Sequence, residues 1–235
     1  MSNNYFKFKH FTVFQDLCAM KVGTDGTLLG AWAEGGDKIL DIGTGTGLIA
    51  LMMAQRYPGS CVTAIDMDEA ACRQAEENVL KSPFADRVEV LCSSVQDFSA
   101  KTNDEKYDAI VSNPPYFVDS LECPDKQRAM ARHASSLTFG ELFSAVSALL
   151  SVDGCFSAII PAECLSAFDA EAALVGLRCI RRYAVHTVVR KPPKRYLVAY
   201  SKSAKHDFES QDVCLVGTDG ERSEWYSSIT SDFYL

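Results

Sequence analysis

The stretch Leu40-Asp41-Ile42-Gly43-Thr44-Gly45-Thr46-Gly47 joins a short apolar run, Lys38–Ile42, to a segment of helical composition, Leu48–Arg56. Glycines at such a junction permit a tight turn and let a ligand approach the backbone closely. Their order, G-x-G-x-G, differs from the G-x-G-x-x-G of dinucleotide-binding turns. Asp66 ends the next apolar run, where a carboxylate can accept both hydroxyls of a ribose. The stretch therefore predicts a strand-turn-helix unit that binds a ribose-containing ligand; a turn that only packs a helix on a strand is the alternative.

Strand-like and helical segments alternate on both sides of this turn. Strand patterns recur at 87–92, Tyr107–Ser112 and 155–160, and helical spacing at Glu69–Leu80, at 163–174 and at 138–150, where Thr138 is a candidate N-cap. This alternation is typical of βαβ units in a parallel sheet. The runs 180–189 and Arg195–Ser201 are too close for a crossover helix, so we expect an antiparallel hairpin. The sequence predicts a doubly wound α/β fold, with 213–216 as a candidate edge strand and 223–233 as a closing helix.

The composition bounds the number of domains and the environment. The chain has 235 residues, of which 47% are apolar, which is enough for one well-buried domain. We expect residues 1–36 to cap a core at 37–201, with a C-terminal strand and helix at 202–235. The apolar runs are too short to span a membrane, and the first residues lack the pattern of a secretory signal. The sequence predicts a cytoplasmic monomer without a membrane partner.

The nine cysteines show neither a Cys-x-x-Cys pair nor the Cys/His spacing of a zinc site. An odd number scattered through apolar segments is typical of small buried residues in a reducing compartment. No metal is expected.

The charge is unevenly distributed. The chain has 23 Lys and Arg against 31 Asp and Glu, a net charge of −8. The segment 178–205 nevertheless holds nine Lys and Arg and no acid, so the remainder carries 14 against 31 (23 minus 9), a net −17. Segregation of this kind can focus positive potential on one face. It favours a nucleic-acid partner, although solvated charged faces are the alternative for any single lysine.

Asn113-Pro114-Pro115-Tyr116 follows the strand Tyr107–Ser112 directly. If that strand lies beside the first one, this loop and the glycine turn face one pocket. The Asn113 side-chain oxygen and the Pro114 carbonyl can each accept a hydrogen from a planar amine, Pro115 stiffens the loop, and Tyr116 offers a face for stacking. These residue types predict the catalytic loop of an enzyme acting on an amine conjugated to a ring. A proline turn with Asn as a turn former is the alternative.

Together, Asp41-x-Gly-x-Gly-x-Gly and Asn113-Pro-Pro-Tyr resemble the first and fourth motifs of class I N-methyltransferases acting on adenine, cytosine, guanine or glutamine amides. The resemblance implies a Rossmann-like, mostly parallel seven-stranded sheet with an antiparallel terminal hairpin. It also implies S-adenosylmethionine as the methyl donor, bound by Asp41, Gly43, Gly45, Gly47 and Asp66.

A second signature narrows the family. Lys21-Val-Gly-Thr24-Asp25-Gly, together with Phe6-Lys-Phe-Lys-His-Phe and the terminal Asp232-Phe-Tyr-Leu, resembles bacterial valine tRNA (adenine-37-N6)-methyltransferases over nearly the whole chain. The resemblance implies that Lys21, Thr24 and Asp25 border the cofactor. Where the family usually has an Asp that contacts the cofactor adenine, this chain has Ser94, and Asp97 follows three residues later.

The resemblance makes tRNA the expected partner, with an unstacked anticodon-loop adenine as the target. Phosphates around the pocket would need basic residues, for which the candidates are Arg128, Arg132, Arg190, Lys191, Lys194 and Arg195. Guanine-N2 rRNA and release-factor glutamine methyltransferases are the rivals that share the loop; the latter carry an N-terminal helical domain, for which the residues before Asp41 are too few. Two other classes stay open, a NAD-dependent oxidoreductase, which would leave Asn113 without a role, and a catalytically silent RNA-binding module.

Overall fold

A computed structural model describes residues 4–18, 21–102, 105–115 and 137–235. The strands are β1 (Tyr5–Lys7), β2 (Thr12–Phe14), β3 (Lys38–Ile42), β4 (Cys61–Asp66), β5 (Val88–Cys92), β6 (Tyr107–Ser112), β7 (Leu150–Pro161), β8 (Arg178–Val188), β9 (Arg195–Ser201) and β10 (Glu209–Val216). The helices, numbered within the described ranges, are α1 (Thr24–Trp32), α2 (Leu48–Arg56), α3 (Glu69–Leu80), α4 (Val95–Lys101), α5 (Phe139–Leu149), α6 (Leu165–Leu174) and α7 (Glu224–Thr230). None of these helices is long and apolar enough to cross a membrane.

The main sheet has the strand order β10-β8-β9-β7-β6-β3-β4-β5. Of these strands β9 alone runs antiparallel to its neighbours, so the predicted hairpin of β8 and β9 is confirmed. The sheet has eight strands in the described residues, and the expected seven was wrong in number. β10 is the edge strand, parallel to β8 from Glu209 to Val216. Its first four residues are exposed and polar, so the apolar pattern indicated only the half that begins at Val213.

Two apolar layers cover the two faces of the sheet. Successive residues of a strand point to opposite faces, and on β3 Ile39 packs with the helices α1 and α2 while Leu40 packs with α5 and α6. Both side chains are fully buried. Helices on both sides explain why the central strands are nearly continuous apolar runs.

The ends of the helices follow the capping residues in the sequence. Thr138 caps α5 through a capping box in which its hydroxyl accepts from the Glu141 amide and the Glu141 side chain accepts from the Thr138 amide, which confirms the predicted N-cap. Gly23 caps α1, so the signature that begins at Lys21 leads into this helix.

Strand order reverses beside β3, which has β4 on one side and β6 on the other. Ligands of open α/β sheets bind at such a switch point, outside the carboxyl ends of the strands. The glycine turn follows β3 and Asn113 follows β6. These two strands are neighbours, which meets the condition under which the loop and the glycine turn were expected to face one pocket.

Candidate active site

The glycine turn folds over the carboxyl end of β4. The amides of Gly43 and Thr44 both donate to the Ile65 carbonyl, at 2.9 and 3.0 Å, and the Gly45 amide donates to Asp66 Oδ2 at 2.9 Å. Gly43 and Gly45 adopt φ values of +72° and +57°, which L side chains rarely adopt. A Cβ at either position would meet no atom within 4 Å. The turn therefore presents bare backbone to open space.

Asp41 supports this turn from behind and lies outside the walls of the cavities described below. Its Oδ2 accepts from the Thr44 hydroxyl at 2.6 Å and from the Ala50 amide at 3.1 Å. Its Oδ1 is buried and has no hydrogen-bond partner within the described residues. The pKa of the Asp41 carboxyl is raised to about 7, chiefly by burial and in smaller part by the charge of Asp66, against the two hydrogen bonds, which lower it.

Replacing Asp41 with Asn is expected to flatten the pH dependence of stability. Because the pKa is raised from 3.8 to about 7 in the folded state, folded protein binds more protons than unfolded protein between these values. The contribution of Asp41 is therefore fully present below pH 4 and is lost as the pH rises to 7, by about 1.4 kcal/mol per unit. Urea unfolding at pH 5.5 and pH 8 measures it, and an equal pH dependence in Asp41→Asn would contradict it.

Asn113 stands where the two strand ends meet. The Ser112 hydroxyl donates to the Ile42 carbonyl at 2.9 Å, which joins the end of β6 to the end of β3 beside Gly43. Asn113 lines both of the cavities that flank the turn, and Pro115 lines one of them. Pro114 is buried. Tyr116 lies outside the described residues, and so do Arg128 and Arg132.

The first cavity, of about 440 Å³, lies over the ends of β3, β4 and β5. Asp66 is on its wall, with Oδ2 bonded to the Gly45 amide and Oδ1 accepting from the Asp68 amide at 3.0 Å. Apolar side chains complete the wall, among them Ile65, Met67 and Val95. Asp68 and Glu141 also line this cavity, and Asp66 is the carboxylate beside the bare glycine backbone. A carboxylate there, with apolar side chains around it, suits a flat ring joined to a sugar.

Ser94 is on the wall of the first cavity, as the resemblance implied, and it also caps α4. Its hydroxyl oxygen accepts from the Asp97 amide at 3.1 Å and donates to Asp97 Oδ2 at 2.9 Å. Asp97 is exposed and does not line either cavity. The departure from the family pattern therefore leaves at this position a hydroxyl whose proton is engaged within the chain.

The second cavity, of about 570 Å³, lies on the other side of the turn. The segment before α1 contributes Lys21, the first turn of α1 contributes Thr24 and Asp25, and the β8–β9 hairpin contributes Lys194 and Arg195. Arg195 Nε donates to Asp25 Oδ2 at 2.7 Å. The sequence placed Asp25 with the cofactor and Arg195 with RNA, whereas the structure joins them in one ion pair.

The rest of the basic hairpin turn is exposed. Arg190 and Lys191 lie beyond the cavity walls. Gly47, a separate case, lies at the start of α2, and a Cβ added to it would be 3.4 Å from Ala75. His186 of β8 holds the turn, because its Nδ1 is 2.6 Å from the Lys191 carbonyl and its Nε2 is 2.9 Å from Asp212 Oδ1. The Lys191 carbonyl, and next the Asp212 carboxylate, raise the His186 pKa.

Several wall residues were missed by sequence reasoning, and three of them illustrate why. Met67 and Cys18 line the first cavity and Thr187 lines the second. Met67 follows Asp66 directly and is 59% exposed. An apolar residue just past the predicted end of a strand could have indicated a place on the cavity wall. Cys18 and Thr187 gave none, since nothing local sets them apart from core residues.

Comparison with known proteins agrees with this geometry. Residues 24–147 match the methyltransferase small domain family. A tRNA1(Val) (adenine(37)-N6)-methyltransferase of Bacteroides fragilis is 47% identical and covers 100% of this chain and 99% of its own. The protein of that name from Klebsiella pneumoniae is 39% identical and covers 100% and 96%.

A solved structure supports the fold alone. A predicted O-methyltransferase from Agrobacterium tumefaciens has a TM-score of 0.69 at 20% identity, covering 89% of this chain and 96% of that one. The sequence identities over the full chain establish the family as well as the fold, and they confirm the resemblance seen in the sequence. The chain belongs to the tRNA1(Val) (adenine(37)-N6)-methyltransferase family, within the methyltransferase small domain proteins.

Proposed function

We propose that this protein transfers a methyl group from S-adenosylmethionine to the N6 amine of an adenine in a tRNA anticodon loop, adenine 37 of valine tRNA by analogy with its relatives. The observation that carries the proposal is the position of Asn113. It stands between a cavity suited to a nucleoside and a cavity with a basic rim.

The residues present fit the cofactor. The open space at Gly43 and Gly45 leaves room for a ligand against the backbone. The apolar wall of the first cavity suits the adenine, and Asp66 can accept from the ribose hydroxyls through its remaining lone pairs. The amino-acid end would lie toward the second cavity, near Lys21 and Thr24. When bound, the cofactor supplies an electrophilic methyl carbon.

Asn113 and Pro114 would hold the target amine. The Asn113 side-chain oxygen accepts one N–H and the Pro114 carbonyl accepts the other, which draws the nitrogen toward pyramidal geometry and directs its lone pair at the methyl carbon. Alignment of the reacting atoms supplies much of the rate gain, so a strong base is not needed. Pro114 and Pro115 lack N–H groups and so cannot compete with the amine as donors.

The second cavity suits the approach of the nucleotide. Lys194 and Arg195 on its wall, and Arg190 and Lys191 beyond it, can contact phosphates on either side of an extruded base. Such contacts position the RNA without reading its sequence. The remainder of the chain carries net negative charge, so among the residues that the structure describes this rim is the surface that best suits RNA.

Incubation of the purified protein with unmodified valine tRNA and S-adenosylmethionine, followed by nucleoside mass spectrometry, tests the proposal. We expect N6-methyladenosine, and none from a tRNA that carries guanine in place of adenine 37. Methylation of guanine N2 in rRNA or of a release-factor glutamine, with valine tRNA unmodified, would overturn the substrate assignment. Calorimetry showing binding of NAD and none of S-adenosylmethionine would overturn the cofactor.

A further inference from the structure

Asn78, in the last turn of the helix α3, makes three hydrogen bonds to backbone atoms. Its Oδ1 accepts from the Phe14 amide, and its Nδ2 donates to the Phe14 carbonyl and to the Thr46 carbonyl, all at 2.8 Å. The side chain is fully buried. Both of its donor hydrogens are used, so the geometry is fully satisfied.

These bonds join two parts of the chain that are remote in sequence. Thr46 belongs to the glycine turn and lies on the wall of the second cavity. Phe14 ends β2, and the segment after it reaches both cavities, with Cys18 on the first and Lys21 on the second. One side chain thus fixes the turn relative to the N-terminal segment.

Gln74, one helical turn before Asn78 and on the same face of α3, adds a second attachment. Its Oε1 accepts from the Leu17 amide at 2.9 Å. Within the segment, Gln15 Oε1 accepts from the Val22 amide at 2.7 Å, next to the cap of α1. The Gln74 bond attaches α3 to the N-terminal segment, whereas the Asn78 bonds attach α3 to both the N-terminal segment and the glycine turn.

An asparagine here is costly to the helix. Asn is a weak helix former, and a buried amide is favourable only when its hydrogen bonds are made. An apolar residue in its place would leave the Thr46 carbonyl and both polar groups of Phe14 without these partners. The bonds are therefore the reason for an amide at this position.

From this geometry we infer that Asn78 is a positioning residue of the cofactor site, one that holds the glycine turn and the N-terminal segment in the relative position that binding requires. Asn78 lines neither cavity, so it acts through Thr46 and Phe14. The inference rests on the proposed function, because it takes the cavities beside the turn as the cofactor site.

The test is calorimetry with S-adenosylhomocysteine on Asn78→Ala, well below its unfolding temperature. We expect the Kd to rise at least about tenfold, since three buried bonds are lost. The KM for S-adenosylmethionine should rise in parallel, while kcat and the KM for tRNA change little. Gln74→Ala, which leaves the turn attached, should have a clearly smaller effect. A lower Tm with an unchanged Kd would show a purely structural role and overturn the inference.

Hydrogen exchange on the wild-type protein decides the question if Asn78→Ala does not fold. The Phe14 and Leu17 amides, whose acceptors are Asn78 and Gln74, should exchange more slowly with S-adenosylhomocysteine bound. Exchange at Phe14 that does not change on saturation would overturn the inference. Failure of wild-type protein to bind the compound would instead count against the proposed function.

Discussion

Replacing Asn113 with Ala is expected to lower kcat by roughly 10²- to 10³-fold, which is typical for loss of one hydrogen-bonding group that acts in a transition state. The alanine removes the oxygen that accepts from the amine and leaves the Pro114 carbonyl. The Kd for S-adenosylmethionine should stay within about threefold, because most of the proposed cofactor contacts lie on the glycine turn and Asp66.

Asn113→Asp is the matched variant, since a carboxylate oxygen of the same reach can still accept the amine hydrogen. It should retain more activity than the alanine variant. Single-turnover methylation of valine tRNA measures the chemical step, and calorimetry measures cofactor affinity. Near-normal turnover in Asn113→Ala, or loss of cofactor binding, would remove Asn113 from its proposed role.

The parts of the fold that local chemistry dictates could be predicted from the sequence. The glycine turn needs positive φ at Gly43 and Gly45, and the Thr138 hydroxyl accepts from the Glu141 amide in the first turn of α5. Each requirement is met within a few residues, so it is written in the local pattern. The order of β3 and β6 followed from placing two motifs at one edge of a parallel sheet.

The contacts within the site could not be predicted in the same way. Asp25 and Arg195 are 170 residues apart, and Asn78 is 64 residues from Phe14. Such pairs depend on how the elements pack, and no local periodicity records them. The sequence therefore predicted one role or none for each of these side chains, and only the folded structure shows the residue that each one contacts.

The acid-free segment shows the same limit for charge. Arg181 pairs with Glu34 and lies 3.8 Å from the ring centre of Trp32, and Arg182 pairs with Asp169. Acids from elsewhere in the chain thus balance part of the positive run. The charge available to a partner is concentrated at the exposed hairpin turn, in Arg190, Lys191 and Lys194. A run of basic residues therefore indicates a binding face only after the fold has assigned its ion pairs.

Replacing Lys191, Lys194 and Arg195 together with Ala is expected to weaken tRNA binding by roughly tenfold to hundredfold at moderate salt. Each lost phosphate contact lowers the slope of log K against log salt by about 0.7 to 0.9, so the slope should fall by about 2. Filter binding or fluorescence titration over a salt series measures both quantities. The Kd for S-adenosylmethionine should change far less, because the two lysines are placed on the RNA side of the site.

Two further variants separate the contributions. The double variant Lys191→Ala, Lys194→Ala leaves the Arg195–Asp25 pair in place. Any further loss of tRNA affinity in the triple variant therefore measures the effect of removing Arg195 and of releasing the Asp25 carboxylate into the second cavity. Lys205→Ala removes a charge from the same acid-free segment, but one that pairs with Asp153. It should leave the slope unchanged. If the triple variant keeps the wild-type slope, or if Lys205→Ala lowers it equally, the turn does not bind RNA as proposed and only the general charge of the segment matters.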